Sequence, residues 1–221
     1  MQPHGGERRF HVDDLAEVLD GFLVHAPDAR WHDDERCFRM AGAAPWLRLP
    51  LLAPEPLPRE RLADYALRDD LTAGTHALLL LRAGASALGV WHGHELLRHK
   101  AFQRYVVRGS GKAQPTHLKT KGKSRYGSRL RLQNWERLLG ETSERLHTWW
   151  REIGPPARMF VAMPVRLRAE FAAADPAPPF GMDDPLVRAV PFHVHEPDHA
   201  ELLRVHGLLG SGAVHVDAAT D

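Results

Sequence analysis

One cysteine, Cys37, stands in the 221 residues. It allows no internal disulfide and no Cys-rich zinc site, so a disulfide-stapled scaffold and a Cys-based zinc finger are both excluded. No stretch approaches the roughly 18 uninterrupted apolar residues of a membrane-spanning helix. The N-terminus carries Glu7, Arg8, Arg9, Asp13 and Asp14 and lacks the apolar core of a secretory signal. These absences predict a cytoplasmic protein with no membrane partner. Hydrophobic residues at 43% suffice for a core and exclude a wholly disordered chain. The length suits one globular domain with an extension.

Acid is missing from the middle of the chain. From Leu96 to Trp135 there is no Asp or Glu, whereas eleven Lys and Arg fall between Arg98 and Arg131. A near balance of 29 basic against 28 acidic residues overall hides this asymmetry. Mutual repulsion makes such a cluster costly unless an anion neutralises it, and a polyphosphate backbone is the natural neutraliser. A solvated basic loop is the plainer alternative.

The pattern along the chain predicts three parts. Residues 1–70 form an N-terminal extension of mixed short elements, with a helix from about Asp13 to Leu23, a Pro-punctuated stretch from Ala43 to Pro58 that is irregular or a short edge strand, and a second helix near 60–68. Residues 71–210 form the main domain. It opens with a meander of strands at His76–Arg82, Ser86–Trp91, Glu95–His99 and Gln103–Arg108, turned at Gly84 and Gly93. A helix from Ser124 or Ser128 to Ile153 follows, with Trp135, Leu138, Leu139, Leu146, Trp149 and Ile153 on one face and Gly154-Pro155-Pro156 as its stop. That Trp stripe reads as core. Then come a strand at Arg158–Met163, a helix at Val165–Ala173, a strand at Val187–Val194 and a helix from about Pro197 to Leu209. Residues 211–221 read as a loose tail. The fold class expected is α/β, a mixed β-sheet with packed helices.

Between strand and long helix lies Gly109-Ser110-Gly111-Lys112-Ala113-Gln114-Pro115, in which two glycines and a proline forbid regular structure. Lys123, Arg125, Arg129 and Arg131 near a helix start oppose the macrodipole, and a bound anion reverses that sign. Tyr105, His117 and Tyr126 are interleaved and suit base stacking. A nucleotide-binding P-loop is rejected: Val106 and His117 stand where its first glycine belongs, and Ala113 follows Gly111-Lys112 in place of Ser/Thr. No third glycine completes a dinucleotide fingerprint, and no Gly-x-Ser-x-Gly elbow is present. No cofactor is expected. His92-x-His94 and His193-x-His195 would each set two imidazoles on one strand face, fit for a metal beside Glu95 or Glu196. Alternating half-exposed histidines are the commoner explanation in a chain holding 15, so no metal site is assigned.

Phe102-x-Arg104-Tyr105-x-Val107-Arg108, Gly109-Ser110-Gly111-Lys112-Ala113-Gln114, Lys123-Ser124 and Gly127-x-x-Leu130-Arg131-x-x-Asn134 together resemble the release-factor-like domain of the Vms/ankyrin-zinc-finger peptidyl-tRNA hydrolases of ribosome quality control. That branch belongs with the archaeal and eukaryotic class I release factors, whose central domain carries a Gly-Gly-Gln tip. The resemblance is dense over residues 98–135 and looser from about 74 to 210. It implies an RNase-H-like domain in a compact, bacterial-type protein without stop-codon reading. Its loop would enter the peptidyl-transferase centre of the large ribosomal subunit. By that likeness Gln114 is catalytic, Gly109, Gly111, Lys112 and Ala113 form the loop backbone, and Arg104, Arg108, Lys119, Lys121, Lys123, Arg125, Arg129 and Arg131 grip ribosomal RNA and peptidyl-tRNA. This chain departs from the pattern in having Gly-Lys-Ala-Gln at the tip and one extra residue between Ser124 and Gly127. Three activities stay open: hydrolysis of the peptidyl-tRNA ester, cleavage of tRNA near its 3′ CCA end, and non-catalytic ribosome or RNA binding.

Overall fold

The structure, a computed structural model, describes residues 6–42, 45–71, 74–104 and 123–216, with backbone alone for 123–128. In chain order the elements are β1 (Glu7–His11), a 3-10 turn (Val12–Asp14), α1 (Leu15–His25), β2 (Arg30–His32), β3 (Cys37–Arg39), β4 (Trp46–Arg48), α2 (Leu62–Ala66), β5 (Thr75–Arg82), β6 (Ala85–His92), β7 (Glu95–Gln103), α3 (Lys123–Ile153), β8 (Arg158–Ala162), α4 (Val165–Ala172), β9 (Val187–Ala189), α5 (His199–Leu209) and β10 (Ser211–His215). The architecture is mixed α/β. Two compact units each own a sheet: Met1–Gly74 with His92–Glu95 and Arg204–Asp221, and Thr75–Trp91 with Leu96–Leu203.

The second unit carries the meander read from the sequence. Its sheet runs β7-β6-β5-β8-β9. Two-residue connections at 83–84 and 93–94 force β5, β6 and β7 into antiparallel hairpins, with Gly84 at φ 94 and Gly93 at φ 57 supplying the left-handed turn positions. β8 then lies parallel to β5, Leu78 opposite Phe160, and β9 parallel to β8. Counted within this sheet, the order is 3-2-1-4-5, the RNase-H-like arrangement. A parallel return requires a long crossover, and α3 provides it.

The helix packs by its stripe. Leu138, Leu139, Leu146 and Trp149 are buried in one cluster with Ala77, Leu79 and Leu81 of β5, Leu88 and Val90 of β6, Met159 and Val161 of β8, and Phe171 and Phe180; Trp135 and Ile153 are partly buried at its ends. Each such side chain contributes about 1.5–3 kcal/mol on leaving water. The one buried polar contact between α3 and β6 is satisfied among the described residues: Ser86 Oγ and Thr142 Oγ1 lie 2.7 Å apart, and Thr142 in turn donates to the Leu138 carbonyl at 2.7 Å. Gly154, at φ 93, ends the helix.

Gly89 marks a close approach on β6. A Cβ there would lie 2.3 and 2.4 Å from ring atoms of Trp91 and 3.1 Å from Leu202, and Trp91 is 2% exposed with no room to retreat. Gly89→Ala is therefore expected to destabilise the fold by about 1–3 kcal/mol through overpacking. Urea denaturation reads this as a lower midpoint at unchanged slope.

The first unit is an antiparallel sheet, β1-β10-β4-β3-β2. Register aligns Phe10, Gly212, Val214, Leu47, Phe38 and Trp31 on one face. Together with Leu15, Val18, Leu19 and Phe22 of α1 and Leu62 and Tyr65 of α2, they are buried or nearly so. Ser211–His215 departs from the loose tail read in the sequence. It fills the space between β1 and β4, and pairing on both sides makes a strand of residues with little strand preference of their own. Other boundaries also shift. β7 runs unbroken through Gln103, and the rest of the strand expected at Gln103–Arg108 lies largely outside the described residues. β9 stops at Ala189, short of Val194. β2 and β3, missed in the sequence, are three residues each and exist through Trp31↔Phe38 pairing.

Candidate functional site

The basic segment leaves the sheet at Arg104, after β7, and rejoins described structure at Lys123, the first residue of α3. Gln114, Gly109, Gly111, Lys112, Ala113, Arg108, Lys119 and Lys121 lie outside the described residues. What the structure places is the frame on either side of them.

At the exit, the Arg104 amide donates to the Gly84 carbonyl at 2.8 Å, and its guanidinium turns to α3. Nη2 donates to both carboxylate oxygens of Glu141, at 2.8 and 2.6 Å. Arg137 Nε donates to the same carboxylate at 2.9 Å. Burial acts to raise the Glu141 carboxyl, but the hydrogen bonds from Arg137 and Arg104 and their charges outweigh it and hold the group below its ordinary value. Glu141 thus stays ionised and clamps β7 to the helix. Arg98 on the same strand faces Glu152 at 3.9 Å. Between these pairs lies a groove of about 420 Å³ lined by Lys100, Arg104, Glu144, Arg145 and Thr148.

Arg104 was expected to grip RNA; the structure engages it on Glu141, 37 residues away in sequence. The acid-free window is acid-free only along the chain. In space, α3 returns Glu141 and Glu152 to two of its cations, a long-range pairing with no local signal.

At the re-entry, the first turns of α3 carry Lys123 and Arg125 on the backbone, with no acid in the first turn. Farther along, Arg129 is exposed and Arg131 half-buried, and no residue from 129 to 137 is buried. Among the described side chains of α3, burial begins at Leu138. The 15 residues from 123 to 137 span about 22 Å of helix, with exposed Leu130 and Leu132 between the arginines. Trp135 is tied by Nε1 to Glu170 of α4 at 2.5 Å.

The two histidine pairs do not sit as strand pairs. His92 ends β6, whereas Gly93 and His94 form the turn. His193 and His195 lie in irregular backbone beyond β9, rings 5.1 Å apart; the His195 amide donates to Glu201 at 2.7 Å, and Arg82 donates to the Val194 and His195 carbonyls. No group of three or more His, Cys, Asp or Glu among the described residues is arranged to hold a metal ion. No helix among them is long and apolar enough to cross a membrane.

The "tRNA endonuclease ANKZF1" of Mus musculus is 29% identical over 161 residues, covering 70% of this chain. The chain spans about a fifth of that relative's length, 21%. Among solved structures, the "Vms1 mitochondrial localization core" superposes with a TM-score of 0.50 over 96% of this chain and 84% of the other, at 14% identity; this likeness concerns the fold. The family model described as "Bacteroidetes VLRF1 release factor" matches residues 76–216, from the second residue of β5 to just past the end of β10. With well over half of its length matched by that model, the chain belongs to the Bacteroidetes VLRF1 release factor family.

Proposed function

We propose that this release factor hydrolyses the ester joining a nascent peptide to tRNA on stalled or split large ribosomal subunits, with Gln114 placing water at the ester carbonyl. The observation that carries the reading is the frame. A segment rich in Gly, Lys and Arg leaves β7 under a Glu141 clamp and returns on a helix that starts with cations, has no acid in its first turn and has no buried residue from 129 to 137. Such a helix start is poorly arranged for its own dipole and well arranged for a phosphate backbone. Water adds to the ester carbon, the bond to the ribose oxygen breaks, and the products are a free peptide carboxyl and an intact tRNA hydroxyl. A Gln serves by orienting water with its side-chain amide and by donating an N–H to the developing oxyanion, without titrating. Much of the acid–base work would then fall to the RNA, in keeping with a sequence that has no carboxylate from 96 to 135.

The relative named as a tRNA endonuclease favours a second reading, cleavage of the tRNA near its 3′ CCA end. One experiment separates the two. Purified large subunits carrying labelled peptidyl-tRNA are incubated with the protein, and the released tRNA is sequenced at its 3′ end. Ester hydrolysis leaves CCA intact on tRNA; a nuclease leaves tRNA shortened and nucleotides on the peptide. We expect intact ends. The grip is tested separately: reversing charge at Lys119, Lys121 and Lys123 is expected to weaken subunit association at about 150 mM salt and to flatten its salt dependence. Unchanged association in a sedimentation assay would remove these lysines from the interface.

A further inference from the structure

The first unit's sheet has a second face, opposite its core, and register fixes what stands on it. Two rows cross the five strands. One runs Arg9, Ala213, Arg48, Cys37, His32; the other runs Glu7, His215, Trp46, Arg39, Arg30. Four arginines and two histidines share this face with one strand acid, Glu7, and with Glu35 of the β2–β3 turn, whose Oε2 lies 3.7 Å from Cys37 Sγ. Arg39 is tied to Glu35 at 2.8 Å. Arg9, Arg30 and Arg48 are exposed and have no acidic partner among the described residues. Five strands at about 4.8 Å spacing make the rows about 19 Å long.

At the centre is a flat stack. The rings of Trp46 and His215, directly opposite on β4 and β10, lie 16° from parallel with centroids 5.8 Å apart. The Arg48 guanidinium sits over the Trp46 ring, 5.1 Å from its centroid. Trp46 and His215 are half-buried. A tryptophan held on the open side of a sheet, away from the core that buries Trp31, is not explained by folding.

We propose that this face binds single-stranded RNA. Its chemistry matches both parts of that ligand. Unpartnered arginines spaced across the strands meet consecutive phosphates, while the Arg48–Trp46–His215 stack offers flat faces on which an unpaired base continues the pile. Duplex RNA keeps its bases inside and cannot use the stack. A membrane surface also takes Arg beside Trp, and the vesicle arm of the test below separates it from RNA. The site lies on elements other than the basic segment after β7, and its readout is binding alone, so it stands or falls apart from peptide release.

The test uses the full chain with Lys119, Lys121 and Lys123 reversed, so that the basic segment does not supply the affinity, and a fluorescent 12-nucleotide single-stranded RNA. Binding is expected to persist in that background and in Trp46→Phe. It is expected to fall about tenfold in Trp46→Leu, which keeps apolar bulk without a ring. In Arg9→Glu/Arg48→Glu it falls at least as far, with the slope of log affinity against log salt shallower by about 1.4 for two lost phosphate contacts. Circular dichroism confirms folding of each variant. The proposal is overturned if binding disappears in the parent background, if the arginine variant binds within twofold of its parent, or if Trp46→Phe loses as much as Trp46→Leu. It is equally overturned if duplex RNA of equal charge or phosphatidylserine vesicles bind as tightly as the oligonucleotide.

Discussion

Replacing Gln114 with Ala is expected to lower peptide release from large subunits by about 10²–10³-fold, or about 3–4 kcal/mol, while leaving subunit association unchanged. The size follows from the role proposed. A side chain that donates to an oxyanion and fixes one water acts chiefly in the transition state, so its removal lowers the rate of the chemical step rather than the occupancy of the complex. Single-turnover release at saturating protein measures that step directly. Gln114→Glu should fail nearly as badly, because a carboxylate repels the developing negative charge that the amide would have stabilised. Equal release by wild type and Gln114→Ala would remove the residue from catalysis, and equal failure by both would leave a binding protein. The tRNA ends then decide between ester and phosphodiester chemistry, whichever residue is responsible.

The second large effect is on stability in acid. His206 of α5 is buried, and burial first, then the neighbouring charge of His11, pushes its imidazole down to about 4, against a smaller upward pull from Asp13. The fold therefore holds the neutral ring. In the unfolded chain the same ring takes up a proton near its ordinary 6.5. Above that pH neither state is charged and stability is at its full value. As pH falls from 6.5 toward 4, only the unfolded chain gains the proton, and stability drains away by on the order of 3 kcal/mol before levelling below 4. Urea denaturation at pH 7.5 and pH 4.5 should show the difference, and His206→Gln should remove most of it. If the variant keeps the same acid dependence, the loss belongs to other groups.

Some of this was legible in the sequence and some was not, for identifiable reasons. β5 and β6 announced themselves because a run such as His76–Leu81 is buried on both faces and bounded by glycines. α3 was legible from Trp135 to Ile153 because one stripe of large side chains repeats at helical spacing, and its stop was written in Gly154-Pro155-Pro156. The first unit was nearly invisible. β2, β3 and β4 have three residues each, too few for periodicity, and depend on partners elsewhere: Phe38 meets Trp31 across one strand pair and Leu47 across the next. The basic cluster was legible as charge but not as geometry. Nothing near Arg104 hints that Glu141 will meet it, since a helix must first form and cross the sheet. The same limit hid the cationic face, because Arg9 of β1 joins Arg48 and Trp46 of β4 on one face only once β10 pairs between their strands.

The placement of β10 has a consequence for how the molecule is made. The strand is the last described element to emerge during synthesis, yet it lies between β1 and β4, among the first. The second sheet is complete once β9 has been translated, whereas the first waits with two open edges until Ser211–His215 arrives to close them. A message cut short before that point would yield a product whose late-assembled half displays raw strand edges, ready to pair with another chain and exposed to proteases.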